Sequence, residues 1–224
     1  MEKEPIIVIN NVLKEFKNQI VLNNVNADFY MGKIYGIIGR NGSGKTVLLK
    51  CICGLLNASA GNITVNKKIV GREIDFPQNV GFIIETPGFL TNYSGYKNLK
   101  YLASIRGLIK QDTIKKTMEL VGLDPADKKP VGKYSLGMRQ RLGIAQALME
   151  NPDILILDEP MNALDYDGVN EMREVFLKLK QQGKLILLAS HIHEDIDTLC
   201  DEVYEMRAGN LIKTKENLRK ICVK

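Results

Sequence analysis

The 224-residue sequence lacks long hydrophobic runs, since no apolar stretch approaches the roughly 18 residues that a helix needs to cross a bilayer. Its first residues, 1–5, have neither the basic nor the apolar segment of a signal peptide, so we expect a cytoplasmic protein. Repeats and low-complexity linkers are also missing. Because lysines and arginines are dispersed, the net charge of +5 gives no support to nucleic-acid binding. We therefore expect a single domain and no nucleic-acid partner.

Cysteine is scarce, with four residues at positions 51, 53, 200 and 222. Cys51 and Cys53 lie two residues apart within a predicted helix, where they point to different sides, and Cys200 and Cys222 are distant in sequence. This spacing suits neither a zinc site nor a disulfide. We interpret the cysteines as buried or half-buried thiols.

One glycine-rich segment, Gly39-Arg-Asn-Gly-Ser-Gly-Lys-Thr46, has the complete G-x-x-x-x-G-K-[ST] pattern of a phosphate-binding loop. It follows a predicted buried strand at 34–38 and precedes a predicted helix at 47–53, which is the context that this motif requires. We expect Lys45 to reach the β- and γ-phosphates and the Thr46 hydroxyl to ligate Mg²⁺. The other loop residues expected to contact the nucleotide are Gly39, Asn41, Gly42, Ser43 and Gly44. A simple glycine-rich turn is the alternative, and the full motif favours a nucleoside triphosphate site.

Two acidic residues, Asp158 and Glu159, end the apolar run at 154–157. A carboxylate at the tip of a central strand beside the phosphate loop suits Mg²⁺, bound directly or through water, so we assign Asp158 to the metal. Glu159 is then placed to polarise a water molecule for in-line attack on the γ-phosphorus. The alternative is that both acids only begin a surface turn before Pro160.

The hydrophobic pattern predicts an α/β fold in which helices flank a mainly parallel central sheet, and the phosphate loop makes this the core of a P-loop NTPase. The predicted strands lie within 6–30 (short and antiparallel), 61–70, 80–84 (short and buried), 154–157 and 185–189, the predicted helical stretches are about 97–149 and 168–180, and 203–213 predicts a hairpin. An antiparallel β subdomain and a helical subdomain complete the expected fold.

Three further motifs are Tyr134-Ser-Leu-Gly-Met-Arg-Gln-Arg141, Asn162-Ala-Leu-Asp165 and Ala189-Ser-His191. In this order they resemble the signature segment, the D-loop and the switch histidine of the ATP-binding-cassette (ABC) ATPases. The order and spacing of these motifs match across nearly the whole chain. The resemblance implies a head-to-tail dimer in which ATP lies between the phosphate loop of one subunit and Ser135 and Gly137 of the other.

The same resemblance implies two more residues at the nucleotide. His191 is expected to hydrogen-bond the γ-phosphate, Glu159 or the attacking water, whereas His193 is expected to be exposed at a helix start. Phe16 resembles the aromatic residue that stacks on adenine, with a strand hydrophobe as the alternative. The predicted catalytic residues are thus Lys45, Glu159 and His191.

The sequence departs from the family pattern in the signature, where Leu136 and Met138 replace residues near the dimer interface. It departs again at Val47, where many relatives carry a second hydroxyl for the α-phosphate. We keep Val47 among the expected nucleotide-contacting positions.

Most telling is Glu85, which stands where the family usually has glutamine. With Thr-Pro-Gly at 86–88, it resembles the ATPase subunits of bacitracin- and lantibiotic-resistance transporters. The resemblance makes Glu85 a third predicted Mg²⁺ ligand, beside Thr46 and Asp158. The alternative is a surface glutamate before a turn.

We therefore expect one ABC ATPase domain over 1–224. Its expected parts are an antiparallel β subdomain (1–30 and 60–76), a P-loop core (31–59, 77–85 and 151–206), a helical subdomain with the signature (86–150) and a C-terminal tail (207–224). Apolar and aromatic residues after Glu85 are expected near the groove that docks the membrane subunit, although about half of them would instead pack in the core of the helical subdomain. They are Phe89, Tyr93, Tyr96, Leu99 and Tyr101.

The expected function is that of an ATP-hydrolysing subunit of an ABC transporter, with ATP and Mg²⁺ as cofactors. It would pair with a second ATPase subunit and drive a separate integral-membrane permease from the cytoplasmic face, exporting an antimicrobial peptide or drug. A soluble ABC ATPase acting in protein assembly is the alternative. A small-molecule or nucleoside kinase would leave the signature and the acidic pair at 158–159 unexplained together.

Overall fold

The structure, a computed structural model, describes residues 4–17, 19–85 and 88–214. Its strands are β1 (Ile7–Phe16), β2 (Gln19–Phe29), β3 (Ile34–Ile38), β4 (Ala60–Val65), β5 (Lys68–Ile69), β6 (Val80–Ile83), β7 (Ile154–Asp158), β8 (Leu185–Ala189), β9 (Glu202–Arg207) and β10 (Asn210–Thr214). Its α-helices are α1 (Lys45–Ile52), α2 (Gly95–Arg106), α3 (Gln111–Leu120), α4 (Leu136–Leu148), α5 (Tyr166–Gln181) and α6 (His193–Leu199), with a 3₁₀ turn at Val131–Lys133. None of the helices in these ranges is both long and apolar enough to span a membrane.

A six-stranded sheet in the order β10-β9-β3-β8-β7-β6 forms the centre of the fold. Its strands are parallel except for β10, which pairs antiparallel with β9. Strands β3, β7 and β8 are continuous apolar runs because both faces of the sheet are covered. Their carboxyl ends meet at one edge, which is where open parallel sheets bind ligands. The predicted α/β fold is confirmed.

A second sheet, in the order β2-β1-β4-β5, is antiparallel and packs with α1 on one face of the central sheet. The expectation of short strands over 6–30 was wrong, because β1 and β2 have 10 and 11 residues. Register shifts interrupt their pairing, and Asn11 and Asn24 adopt positive φ angles of 50° there. Such bulges break the alternation of apolar and polar residues, so one long strand resembles several short ones in the sequence.

Aromatic residues join this antiparallel sheet to the strand that carries the phosphate loop. The rings of Phe29 and Tyr35 meet edge to face with centroids 4.9 Å apart, and the ring centroids of Tyr204 and Phe29 are 5.5 Å apart. The Tyr35 hydroxyl accepts a hydrogen bond from the Tyr30 backbone N–H. These contacts fix β3, and through it the phosphate loop, against the second sheet.

The burial of one predicted strand and the start of one predicted helix differ in the structure. Strand β6 was expected to be buried, but it is the edge strand of the central sheet, and Phe82 is 37% exposed. Helix α5 begins at Tyr166, earlier than the predicted 168, because the Asp165 side chain caps it by accepting a hydrogen bond from the Gly168 N–H at 3.0 Å.

The C-terminal hairpin and the buried cysteines follow the sequence-based expectation. Strands β9 and β10 form the predicted hairpin, and β10 extends the central sheet within the stretch that we assigned to a tail. Cys51, Cys53 and Cys200 are buried, and burial raises the pKa of the Cys51 thiol to about 11. Cys222 lies outside the described residues.

Gly81 allows β6 to pack closely against α4, the helix that carries the signature. A Cβ atom at Gly81 would lie 2.0 Å from the Ala147 carbonyl oxygen. We expect Gly81→Ala to lower the free energy of unfolding by about 1–3 kcal/mol because the backbone there has to shift. Urea denaturation measures this, with Gly88→Ala as the control, since nothing lies within 4 Å of a Cβ atom at Gly88. Equal stability of the two variants would contradict the close packing of β6 and α4.

Candidate functional site

The phosphate loop joins β3 to α1, and its glycines adopt conformations that other residues rarely reach. The φ angles are 148° at Gly39, 77° at Gly42 and 111° at Gly44. Space is also restricted, because a Cβ atom at Gly39 would lie 2.4 Å from the Met206 carbonyl oxygen. One at Gly44 would lie 2.8 Å from the Val21 carbonyl oxygen. The loop conformation therefore depends on glycine at these positions.

Lys45 is buried although it is charged, and its side chain turns back into the loop. The Lys45 ammonium donates hydrogen bonds to the carbonyl oxygens of Gly39 at 2.7 Å and Arg40 at 3.4 Å. The Ser43 hydroxyl is buried without a hydrogen-bond partner in the described part of the chain, and Asn41 is exposed at the loop tip. A cation and an unsatisfied donor beside the loop suit a phosphate group.

Thr46 and Asp158 meet at the start of α1 and the end of β7. The Thr46 hydroxyl donates to a carboxylate oxygen of Asp158 at 2.6 Å. Burial raises the pKa of Asp158, the hydrogen bond from Thr46 opposes that rise, and the negative charge of Glu159 adds to it. A cation would therefore stabilise the ionised carboxylate. Among residues 4–17, 19–85 and 88–214, no group of three or more histidine, cysteine, aspartate or glutamate side chains is arranged to hold a metal ion by itself.

Glu159 and His191 come together from the ends of β7 and β8. The Nδ1 atom of His191 lies 2.9 Å from an oxygen of Glu159, and the Glu159 backbone N–H donates to the Ala189 carbonyl oxygen at 2.9 Å. The second Glu159 oxygen is buried and has no hydrogen-bond partner among the described residues. A buried carboxylate oxygen without a partner can accept a hydrogen bond from a water molecule. His193 is exposed at the start of α6, as the sequence predicted.

The signature residues begin helix α4. Ser135 caps this helix, because its hydroxyl accepts a hydrogen bond from the Met138 N–H at 3.2 Å. Gly137 lies beside the D-loop, where a Cβ atom would come within 3.0 Å of the Ala163 carbonyl oxygen. The hydroxyl proton of Ser135 and the first N–H groups of α4 remain available to a phosphate from another molecule.

Gln140 contacts the segment after β7, which sequence reasoning missed. Its side-chain amide donates to the carbonyl oxygens of Pro160 at 2.8 Å and Glu159 at 3.3 Å. These bonds connect the signature helix to the segment that carries the predicted base. Gln140 stands within the signature segment, but nothing in its spacing signals a partner nineteen or twenty residues away.

Phe16 and Val47, which we expect to contact the nucleotide base and α-phosphate, have protein neighbours in the structure. Phe16 ends β1 and is partly exposed, with the Lys14 ammonium 4.7 Å from its ring centroid. Val47 lies on α1 and packs against the core between the two sheets, so its side chain contributes to helix packing.

Glu85 has a partner that the sequence did not indicate. Its carboxylate lies 2.6 Å from the Lys50 ammonium on α1, its side chain is 64% exposed, and its φ angle is 62°. The negative charge of Glu85 nevertheless helps to raise the pKa of Asp158, although burial and the charge of Glu159 have larger effects. Residues 86 and 87 of the adjoining turn lie outside the described residues.

The apolar residues after Glu85 divide into two groups. Leu99 is buried, and Phe89 and Tyr96 pack against the helical core. Tyr93 and Tyr101 are exposed. These two tyrosines line a groove of about 620 Å³ together with Leu90, Lys97, Lys100 and Ser104.

Comparison with known proteins assigns the chain to a family. The sequence profile described as "ABC transporter" matches residues 22–162. The chain is 43% identical over 206 residues to the uncharacterized ABC transporter ATP-binding protein YybJ of Bacillus subtilis, covering 92% of this chain and 94% of that protein. It is 40% identical over 215 residues to the bacitracin transport ATP-binding protein BcrA of Enterococcus faecalis, covering 95% and 70%. It is 38% identical over 211 residues to the lantibiotic transport ATP-binding protein SrtF of Streptococcus pyogenes, covering 94% and 91%.

Solved structures share the fold. An ATP-binding subunit of an ABC transporter superposes with a TM-score of 0.85 at 26% identity, covering 96% of this chain and 91% of that chain. The dimeric, post-hydrolysis ATP-binding cassette MJ0796 with ADP and Pi superposes with a TM-score of 0.84 at 21% identity, covering 94% and 98%. This chain belongs to the ABC transporter ATP-binding family, and it is an ATPase.

Proposed function

We propose that this chain hydrolyses MgATP to drive a separate membrane permease that exports an antimicrobial peptide or drug. The ATPase mechanism rests on one observation. Lys45, the Thr46–Asp158 pair and the Glu159–His191 pair converge at the carboxyl ends of the central strands. The substrate class rests on the named relatives that transport bacitracin and lantibiotics. The permease would hold the ATPase at the cytoplasmic face of the membrane.

Each residue at the sheet edge has a distinct task in this mechanism. Lys45 and the loop N–H groups bind the phosphates, and Thr46 and Asp158 hold Mg²⁺. The Mg²⁺ ion, when bound, offsets the charge that develops on the β- and γ-phosphate oxygens. Glu159 accepts the proton of the attacking water, and His191 orients the Glu159 carboxylate.

A second subunit would complete the site. Ser135 and Gly137 begin a helix whose free N–H groups suit the γ-phosphate of a nucleotide held by the other copy. Phe16 would stack on adenine with its exposed ring. The arrangement would therefore contain two equivalent composite sites related by a two-fold axis.

Glu159→Gln tests the assignment of the base. Glutamine keeps the shape and hydrogen bonding of the side chain but cannot accept the proton, so hydrolysis should fall by about 10²–10⁴-fold while MgATP still binds. An ATP-bound dimer should then accumulate in gel filtration. Near-normal turnover would assign the base to another residue.

The same variant tests the transport function in cells. A strain with Glu159→Gln should become sensitive to bacitracin-type peptides or lantibiotics, and wild-type protein should purify with a polytopic membrane protein from solubilised membranes. Unchanged sensitivity, with the chain purified in a soluble complex, would favour the alternative role in protein assembly.

The groove beside α2 is the surface that we assign to the permease. Tyr93 and Tyr101 present exposed aromatic rings there, and aromatic residues are enriched where proteins bind one another. The groove begins a few residues after Glu85, so a partner seated in it would lie close to the loop that contacts α1 through Lys50.

Tyr101→Ser should abolish purification with the permease while basal ATP hydrolysis stays unchanged, because Tyr101 is exposed and lies outside the nucleotide site. Ile105→Ser is the matched control, since Ile105 is exposed on the same helix but does not line the groove. Equal retention of the permease by both variants would exclude the groove as its docking site.

We further propose that Glu85 is a metal-responsive relay between the nucleotide and the permease. Its carboxylate adds negative charge near Asp158, so it should oppose closure of the site until Mg²⁺ is present. Pairing with Lys50 connects it to the helix of the phosphate loop.

Glu85→Gln should keep substantial ATPase activity but change its dependence on Mg²⁺ concentration, because the carboxamide carries no charge. Glu85→Ala should reduce transport more than nucleotide binding. The test measures the ATPase rate of each variant over a series of Mg²⁺ concentrations and measures its transport activity in parallel. Wild-type values of both activities in both variants would make Glu85 a turn residue only.

A further inference from the structure

We propose that Arg173 and Asp195 are positioning residues that hold His191 in place beside Glu159. Neither residue belongs to a motif discussed above. The inference rests on the proposed role of His191, and it assigns to a buried ion pair between α5 and α6 the task of fixing that histidine.

The ion pair is almost completely enclosed. The side chains of Arg173 and Asp195 are 9% and 1% exposed. The Nε and Nη2 atoms of Arg173 donate to the same Asp195 oxygen at 3.0 and 2.6 Å, and Nη1 donates to Glu194 at 2.9 Å. One guanidinium thus binds two consecutive carboxylates in the first turn of α6, in the planar geometry that arginine provides.

Two contacts fix the first turn of helix α6, namely this ion pair and the burial of Ile196 in the core. The helix has only seven residues, which is too short for a stable isolated helix, and its first turn has no side-chain cap. His191 precedes this helix by two residues. Within the loop, the Ser190 hydroxyl accepts a hydrogen bond from the Ile192 N–H at 3.1 Å. The position of His191 therefore follows the position of α6.

Helix α5 connects the Arg173–Asp195 ion pair to Glu159, the residue that His191 contacts. It begins after Asp165, its cap residue, and the segment 159–165 leads to it directly from Glu159. Glu159 and His191 thus follow neighbouring strands, and the helices that come after them are joined by Arg173 and Asp195. The His191 side chain is 57% exposed, so its 2.9 Å contact with Glu159 depends on the strand pairing and on the ion pair rather than on burial.

A purely structural ion pair would behave differently from a positioning one. Removing one partner of any buried pair lowers stability, because the other charge is left uncompensated. Stability alone would not lower the turnover of molecules that remain folded. A displaced His191 would lower the turnover of folded molecules, since a shift of about 1 Å at a catalytic group can cost 10²-fold in rate.

Arg173→Met should lower kcat about tenfold or more, with the affinity for MgATP within about twofold of wild type. Arg173→Lys should recover part of kcat because it restores the charge. Rates are measured well below the melting temperature of each variant. Lys33→Met is the control: it removes the 2.5 Å ion pair with Glu202, near the opposite ends of the strands, and should lower stability without lowering kcat.

Hydrogen–deuterium exchange gives a readout independent of activity. Arg173→Met should speed exchange in 190–199 and leave 185–189 unchanged, whereas general destabilisation would speed exchange in both segments. If Arg173→Met does not fold, Asp195→Asn, which keeps the side-chain shape, is measured in its place and should give the same pattern.

A double-mutant cycle separates this inference from the proposed role of His191. In the His191→Ala background, Arg173→Met should cause no further loss of kcat, since the histidine that it positions is gone. A further loss as large as in wild type would overturn the positioning role, as would wild-type kcat in Arg173→Met. If His191→Ala itself keeps full kcat, the proposed function of His191 fails and this inference fails with it.

Discussion

The pairing of β7 with β8, in which Asp158 lies opposite Ala189, is the constraint on which the site depends. This register places Glu159 directly beyond the last paired residue of β7 and His191 two residues beyond the end of β8. The Glu159 N–H continues the pairing by donating to Ala189. A slip by one residue would turn each of these side chains to the other face of the sheet. The chemistry that we propose is thus set by backbone hydrogen bonds within a buried sheet.

The balance of charge around this edge has a simple physical logic. Burial of Asp158 near Glu159 and Glu85 disfavours the ionised form of Asp158, and two cations of α1 lie close by, Lys45 near Asp158 and Lys50 beside Glu85. A nucleotide adds further negative charge. A divalent cation at the same place would offset this charge, and the Thr46 hydroxyl and the Asp158 carboxylate, 2.6 Å apart, are the ligands that we propose for it.

Much of the fold and of the site was predictable because the relevant signals are local. The phosphate loop, the run before Asp158 and the serine that caps α4 each occupy a short stretch whose pattern specifies its conformation. Gln140, Lys50 and Arg173 were missed because their partners are distant in sequence, and no spacing rule connects them. The bulges of β1 were missed for a different reason: asparagine at positive φ interrupts an alternation that would otherwise predict one long strand.

The central claim is that each ATP is hydrolysed between two copies of the chain, and mixing two inactive variants tests it most directly. Lys45→Ala disables the phosphate loop, and Ser135→Arg disables the signature, so each alone should be inactive. In a mixed dimer one composite site would have both parts intact, so an equal mixture should recover ATPase activity, up to about a quarter of wild type. A mixture as inactive as its components would contradict the account.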